Sequence, residues 1–180
     1  MFRLIPLLMA SGLFAQEPTA VELKEEAAYR AEMLAKERAW ITETISALDQ
    51  ANEFELMSLT TEGFVMQTHS CRGFCFQRWQ VRGSAPIRAP FEVEAVRTEL
   101  RRWLDGPAPN AIPLCFFPHH GARMRVADAV FDFVICYECK QMQVYRDFEL
   151  GGRNAVHFES DRNALDRLLE AHRVEPTGLN

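Results

Sequence analysis

The sequence predicts an α+β fold, a mostly antiparallel sheet with helices packed on one face, preceded by a long N-terminal helix. Three observations predict it. Strand-like apolar segments outnumber helical ones, one pair of them reads as an antiparallel hairpin, and the helical segments do not alternate with strands as βαβ units require. At 180 residues and 48% hydrophobic the chain is long enough for one domain with a substantial core.

The first element is an export signal. Arg3 follows Met1-Phe2, an apolar stretch runs from Leu4 to Ala15, and Gln16-Glu17-Pro18 is polar, which is the charged, apolar and cleavable order of a secretory peptide. Cleavage is expected after Ala15, although Leu13 at the third position before the cut is larger than such sites prefer. An uncleaved anchor or a cytosolic amphipathic start is the competing reading. No cysteine precedes Cys71, so lipid attachment at the end of the signal is excluded. The expected organisation is signal peptide 1-15, N-terminal helix 16-52 and a single α+β domain 53-180 in an exported, periplasmic or extracellular protein.

Thr19 to about Ala51 reads as one helix. Ala27, Ala31, Leu34, Ile41, Ile45 and Leu48 recur at spacings of three and four, with Arg38 at the one missing step. Such a stripe packs on the domain's own sheet or on a partner helix. Thr19 is the expected N-cap, with Glu22 completing a capping box. Phe54 to Thr60 then reads as a strand and Trp79 to Arg82 as another, closed by Gly83-Ser84. Pro90 opens a second helix, in which Val93, Val96, Leu100, Trp103 and Leu104 share a face. Arg97, Arg101 and Arg102 project elsewhere as a solvated face, and Gly106-Pro107 ends the helix.

The hairpin follows. Ala122, Met124 and Val126 alternate with Arg123 and Arg125, Ala127-Asp128 turn, and Val130 to Ile135 returns as an almost continuous apolar run. Asp132 is the polar break in that run. A buried carboxylate needs a partner, and Arg123 or Arg125 on the facing strand is the expected one. Strands are also expected at Gln141 to Tyr145 and Ala155 to Phe158. A last helix, capped by Ser160 or Asp161, buries Ala164, Leu165, Leu168 and Leu169.

Charge narrows the partners. A net charge of -5 and scattered arginines leave no basic footprint for nucleic acid. No apolar run after the signal is long enough for a membrane span in the mature chain.

The chemistry concentrates at the two ends of the hairpin. Antiparallel return brings Cys115 to His120 beside Cys136 to Cys139, provided the chain bends at Tyr137-Glu138, because an extended i to i+3 pair points to opposite faces about 10 Å apart. Three readings are open. Cys115, His120, Cys136 and Cys139 form a Cys3His set that suits tetrahedral zinc, with His119 able to replace His120, and Cys71 and Cys75 then free to bridge each other. Disulfides suit an oxidising compartment, but five cysteines leave at least one unpaired and the connectivity undetermined. A reactive thiol would use Cys115 with His120 as base, and Asp132 or Glu138 to orient the histidine. His69, His157 and His172 read as surface or helix-face histidines without convincing partners.

Cys115-Phe-Phe-Pro-His-His-Gly121 and Val134-Ile-Cys-Tyr-Glu-Cys139 resemble the signature of a family of uncharacterised bacterial exported proteins. That signature is Cys-Phe-x-Pro-x-His-Gly, a hairpin, then Ile or Val-Cys-Phe or Tyr-x-Cys. The resemblance makes His120 the family histidine, sets His119 where arginine is common, and marks the Cys71 to Cys75 segment as an insertion. It implies export and brings no reaction with it. The favoured function is therefore an exported structural or binding module whose Cys/His cluster is a disulfide or metal knuckle. The alternative is a thiol- or metal-dependent enzyme centred on Cys115, His120 and Cys139.

Overall fold

The computed structural model describes residues 19-60, 71, 73-106, 116-155 and 162-177. The expected signal, Cys115, His69, His157, and the caps Ser160 and Asp161 lie outside the described residues. The chain divides into two units, Met1–Ala35 and Lys36–Asn180, and the long helix α1, Ala20–Gln50, crosses from the first into the second.

Within the first unit, the start of α1 follows from its capping box. The backbone N–H of Thr19 donates to Glu22 Oε2 at 2.7 Å, and the Glu22 N–H donates back to Thr19 Oγ1 at 3.3 Å. The backbone bond, helped by the Thr19 hydroxyl, holds the Glu22 carboxyl below its usual range.

The second unit holds one seven-stranded antiparallel sheet. Its strands are β1 (Phe54–Thr60), β2 (Cys75–Phe76), β3 (Trp79–Ile87), β4 (His120–Val126), β5 (Ala129–Cys136), β6 (Gln141–Arg146) and β7 (Glu149–Ala155), in the order β2-β3-β1-β4-β5-β6-β7. Helix α2 (Pro90–Leu104) connects β3 to β4 across β1, and α3 (Arg162–Ala171) follows β7. The expected α+β architecture is what the chain adopts.

Three strand expectations change. The expected second strand does not close at Gly83-Ser84 but continues to Ile87, because the register shifts opposite Ser58 and Leu59 and the extra residue, Arg82, is taken up as a bulge beside Gly83. A Cβ at Gly83 would lie 2.9 Å from Val174 Cγ1, so the glycine also admits the C-terminal segment. The short β2 was not expected, being only two residues long. A strand that was not expected spans Glu149–Ala155, because pairing with β6 decides it where the polar Glu149-Leu-Gly-Gly-Arg sequence carries no strand periodicity; the strand expected at Ala155 to Phe158 lies outside the described residues beyond Ala155.

Alternation along the strands separates two cores. Leu56, Ala85, Ile87, Ala122, Phe133, Ile135 and Val144 face Val96, Leu100 and Trp103 of α2, Leu165 and Leu169 of α3, and Leu48 of α1. Met57, Leu59, Phe76, Trp79, Val81 and Val134 form a smaller cluster on the opposite face. The apolar stripe expected for α2 is buried throughout, and of that expected for α3 Leu165 and Leu169 are buried while Ala164 and Leu168 are only partly so. In the second unit α1 contributes Thr44, Ala47 and Leu48 as buried residues, with Ile41 and Ile45 partly buried beside them.

The expected solvated arginine face of α2 is not uniform. Arg97 donates to the Leu48 carbonyl at 3.2 Å and the Ala51 carbonyl at 2.5 Å, so its guanidinium closes the C-terminus of α1, where carbonyls lack helical partners. Arg101 pairs with Asp49 at 2.8 Å on the surface, and Arg102 pairs with the buried Glu99.

Candidate functional site

The β5-β6 hairpin turn supplies the bend that the cysteine spacing requires. β5 ends at Cys136, a turn covers Tyr137 to Lys140, and Lys140 takes φ 50°. That reversal brings the Cα atoms of Cys136 and Cys139 to 5.3 Å, and the two sulfurs are bonded to each other. Cys71 and Cys75 form a second bridge ahead of β3. The segment before β4 does run beside this turn: Phe117 N–H donates to Cys139 Sγ at 3.3 Å, and His119 N–H donates to the Ile135 carbonyl at 3.1 Å.

His119 and His120 then diverge, because neighbours on extended backbone point to opposite sides. His120 is fully buried, with its ring edge-on to Tyr137 at 5.4 Å and its Nε2 2.8 Å from Asp166 Oδ1 on α3. Burial pushes the Asp166 carboxyl up, but the His120 bond and the Arg162 guanidinium outweigh it and hold it below the ordinary 3.8. An ionised Asp166 only accepts, so Nε2 carries the proton. His120 Nδ1 is buried and has no hydrogen-bond partner among the described residues.

His119 goes the other way. Its Nδ1 meets Thr177 Oγ1 at 3.2 Å and its Nε2 lies 3.6 Å from Glu138 Oε2, the same oxygen that lies 3.9 Å from Cys136 Sγ. Burial lowers its pKa, against the pull of Glu138 and with the push of Arg162. Arg162 knits the region together through Glu138 at 2.8 Å, Asp166 at 3.2 Å and the Thr177 carbonyl at 2.6 Å.

A further buried network lies behind Tyr137. Its hydroxyl and the Trp103 indole N–H both reach Glu99 Oε1 at 3.1 Å, and Glu99 is only 1% exposed. Burial, then the Glu99 charge, raises the Tyr137 phenol far above its ordinary value. Tyr137 therefore stays protonated and donates to Glu99.

The structure thus gathers His119, Cys136, Cys139 and Glu138 around one turn and places His120 on the helix side of it. Neither Asp132 nor Glu138 orients His120. Asp132 is held on the opposite face of the sheet by Gln77 at 2.6 Å and by Arg123 at 2.6 and 2.7 Å, one of the two cross-strand arginines expected for it. Asp166 does the orienting; nothing in its sequence context marks it, since the contact spans 46 residues. His172, read as a surface or helix-face histidine without a partner, pairs with Glu92 of α2 at 3.0 Å.

Among the described residues no group of three or more His, Cys, Asp or Glu side chains is arranged to hold a metal ion. While bridged, Cys136 and Cys139 have no thiolate to offer one. No helix among the described residues is long and apolar enough to cross a membrane. Fold and site together define a disulfide-containing α+β domain. No family model matches the chain, and no curated protein or solved structure does.

Proposed function

We propose that this chain is an exported structural or binding module of the signature family named above, in which the Cys/His region stiffens a turn rather than performing catalysis. The Cys136–Cys139 bridge carries this reading. It fixes the loop that holds Tyr137 against Glu99 and His120, and it suits an oxidising compartment, as does the Cys71–Cys75 bridge. Intact mass with and without reductant, on protein from its native compartment, tests it: the mass should be lower by two hydrogens for each bridge. Free thiols at all five cysteines would overturn the reading.

A second reading rests on the unpartnered His120 Nδ1. Metal-bound histidines give their other ring N–H to a carboxylate, as His120 does to Asp166. In a reduced chain Cys115, His120, Cys136 and Cys139 would supply thiolates and imidazole to zinc, with His119 on the side nearer Glu138 as the alternative ligand. Zinc at one equivalent in protein purified without chelator would favour it over the disulfide module, and a single fast-alkylating thiol would favour the enzyme centred on Cys115, His120 and Cys139.

A further inference from the structure

The two bridges sit in opposite electrostatic surroundings. Around Cys71–Cys75 the sulfurs face carbonyl oxygens, Cys71 Sγ lying 4.0 Å from Phe74 O and Cys75 Sγ 3.4 Å from Gly73 O. Those neighbours favour a protonated thiol and oppose a thiolate. Around Cys136–Cys139 both sulfurs receive backbone N–H groups: Cys139 N–H at 3.1 Å from Cys136 Sγ, and Phe117 N–H at 3.3 Å from Cys139 Sγ. Hydrogen bonds to the charged form stabilise it, so these donors favour two thiolates.

The charged groups around the pair come from three elements. Glu138 Oε2, 3.9 Å from Cys136 Sγ, opposes negative charge there. It is itself countered by Arg162 of α3 at 2.8 Å and by the His119 imidazole at 3.6 Å, so its effect at the sulfur is blunted. The bridge also joins residues only three apart within a hairpin turn whose flanking strands are already paired. Opening it breaks no tie between distant elements, and closing so short a loop removes little chain entropy.

We propose that Cys136–Cys139 is an exchangeable dithiol–disulfide pair that takes two electrons from a small thiol or dithiol while the domain stays folded. Cys136 is fully buried and Cys139 is 7% exposed, so the incoming thiolate bonds to Cys139 Sγ. The Cys136–Cys139 bond breaks and Cys136 leaves as a thiolate under the Cys139 N–H. A second reductant thiolate attacks the reductant's own sulfur in the mixed disulfide, Cys139 leaves under the Phe117 N–H, and the reductant departs as its disulfide. The two protons lost by the reductant's thiols go to solvent or to the released sulfurs.

This goes beyond the structural-module reading, which fails if the bridge is missing from isolated protein; the present proposal fails if the bridge is present but inert. The test uses the full chain in buffers of reduced and oxidised dithiothreitol, with acid quenching, alkylation and peptide mass analysis, and circular dichroism read in parallel. Cys136–Cys139 should open and close reversibly with the dichroism unchanged. In the opened chain, pH-dependent alkylation should give a midpoint below about 8.5, the free-cysteine value, for at least one of its two thiols, and a higher midpoint for Cys71 and Cys75. A bridge that opens only as the dichroism is lost, or midpoints at or above about 8.5 for both Cys136 and Cys139, would overturn the proposal.

Discussion

At the scale of single residues, Asp132 shows how one polar position inside an apolar strand commits a neighbour. Register sets Arg123 directly opposite it, the carboxylate is 1% exposed, and the guanidinium forks across both its oxygens. Asp132→Ala leaves Arg123 half-buried without its counter-charge. The expected loss is about 3 to 5 kcal/mol, the range for removing one partner of a buried pair, read by urea denaturation; a loss under about 1 kcal/mol would show the pair to be solvated. His119 and Asp166 set the acid limb of stability. Both have folded pKa values below their ordinary ones, so the unfolded chain binds more protons as pH falls, and stability drops on acidification. The His119 contribution is full above about pH 6.5 and is lost as pH falls from there towards its lowered value; the Asp166 contribution is lost further down, below about 3.8. His119→Gln should flatten the upper limb alone in denaturation midpoints followed from pH 7.5 to 4.5, and an unchanged slope would refute the assignment.

At the scale of elements, α2 carries the clearest contrasts. Leu100 is fully buried against the sheet, so Leu100→Ala should cost about 2 to 5 kcal/mol, whereas Arg101→Ala, which breaks a surface pair with Asp49, should stay within about 1 kcal/mol of wild type. Arg97→Ala should fall between them at about 1.5 to 3 kcal/mol, because its charge-assisted bonds close the end of α1. Urea denaturation of the three variants ranks them, and equal effects at Arg97 and Arg101 would remove the capping role. Strand β4 offers a separate test at Gly121, where a Cβ would lie 2.7 Å from Phe76 Cε1. Gly121→Ala should cost about 1 to 3 kcal/mol by overpacking, and trimming the ring with Phe76→Leu in the same chain should recover part of it. Additive losses would show that the two residues do not collide. The α2 stripe and the hairpin were legible in the sequence because each is a local periodicity. The role of Arg97 was not, since an arginine between Val96 and Leu100 of the stripe looks the same whether it faces water or another helix's last carbonyls.

At the scale of the whole molecule, the proposed export makes a prediction that needs no structural detail. N-terminal sequencing of material recovered from outside the cytosol should begin near Gln16; Met1 intact in cytosolic protein would remove the oxidising compartment and weaken the disulfide reading with it. Legible in the sequence alone were the α+β class, the capped N-terminal helix, the β4-β5 hairpin with Asp132 paired to Arg123 or Arg125, and the need for a bend between Cys136 and Cys139. All of these follow from periodicity, capping chemistry and strand alternation, which act over a few residues. It took the folded chain to show that β3 runs on through Gly83, that Glu149–Ala155 pairs with β6, that Asp166 rather than Asp132 or Glu138 orients His120, and that His119 shares Glu138 with Cys136. Each depends on which distant segment arrives beside a residue. Bulges, edge pairing and ion pairs across more than 40 residues are set by packing of the assembled sheet and helices, and leave no periodic mark in the chain.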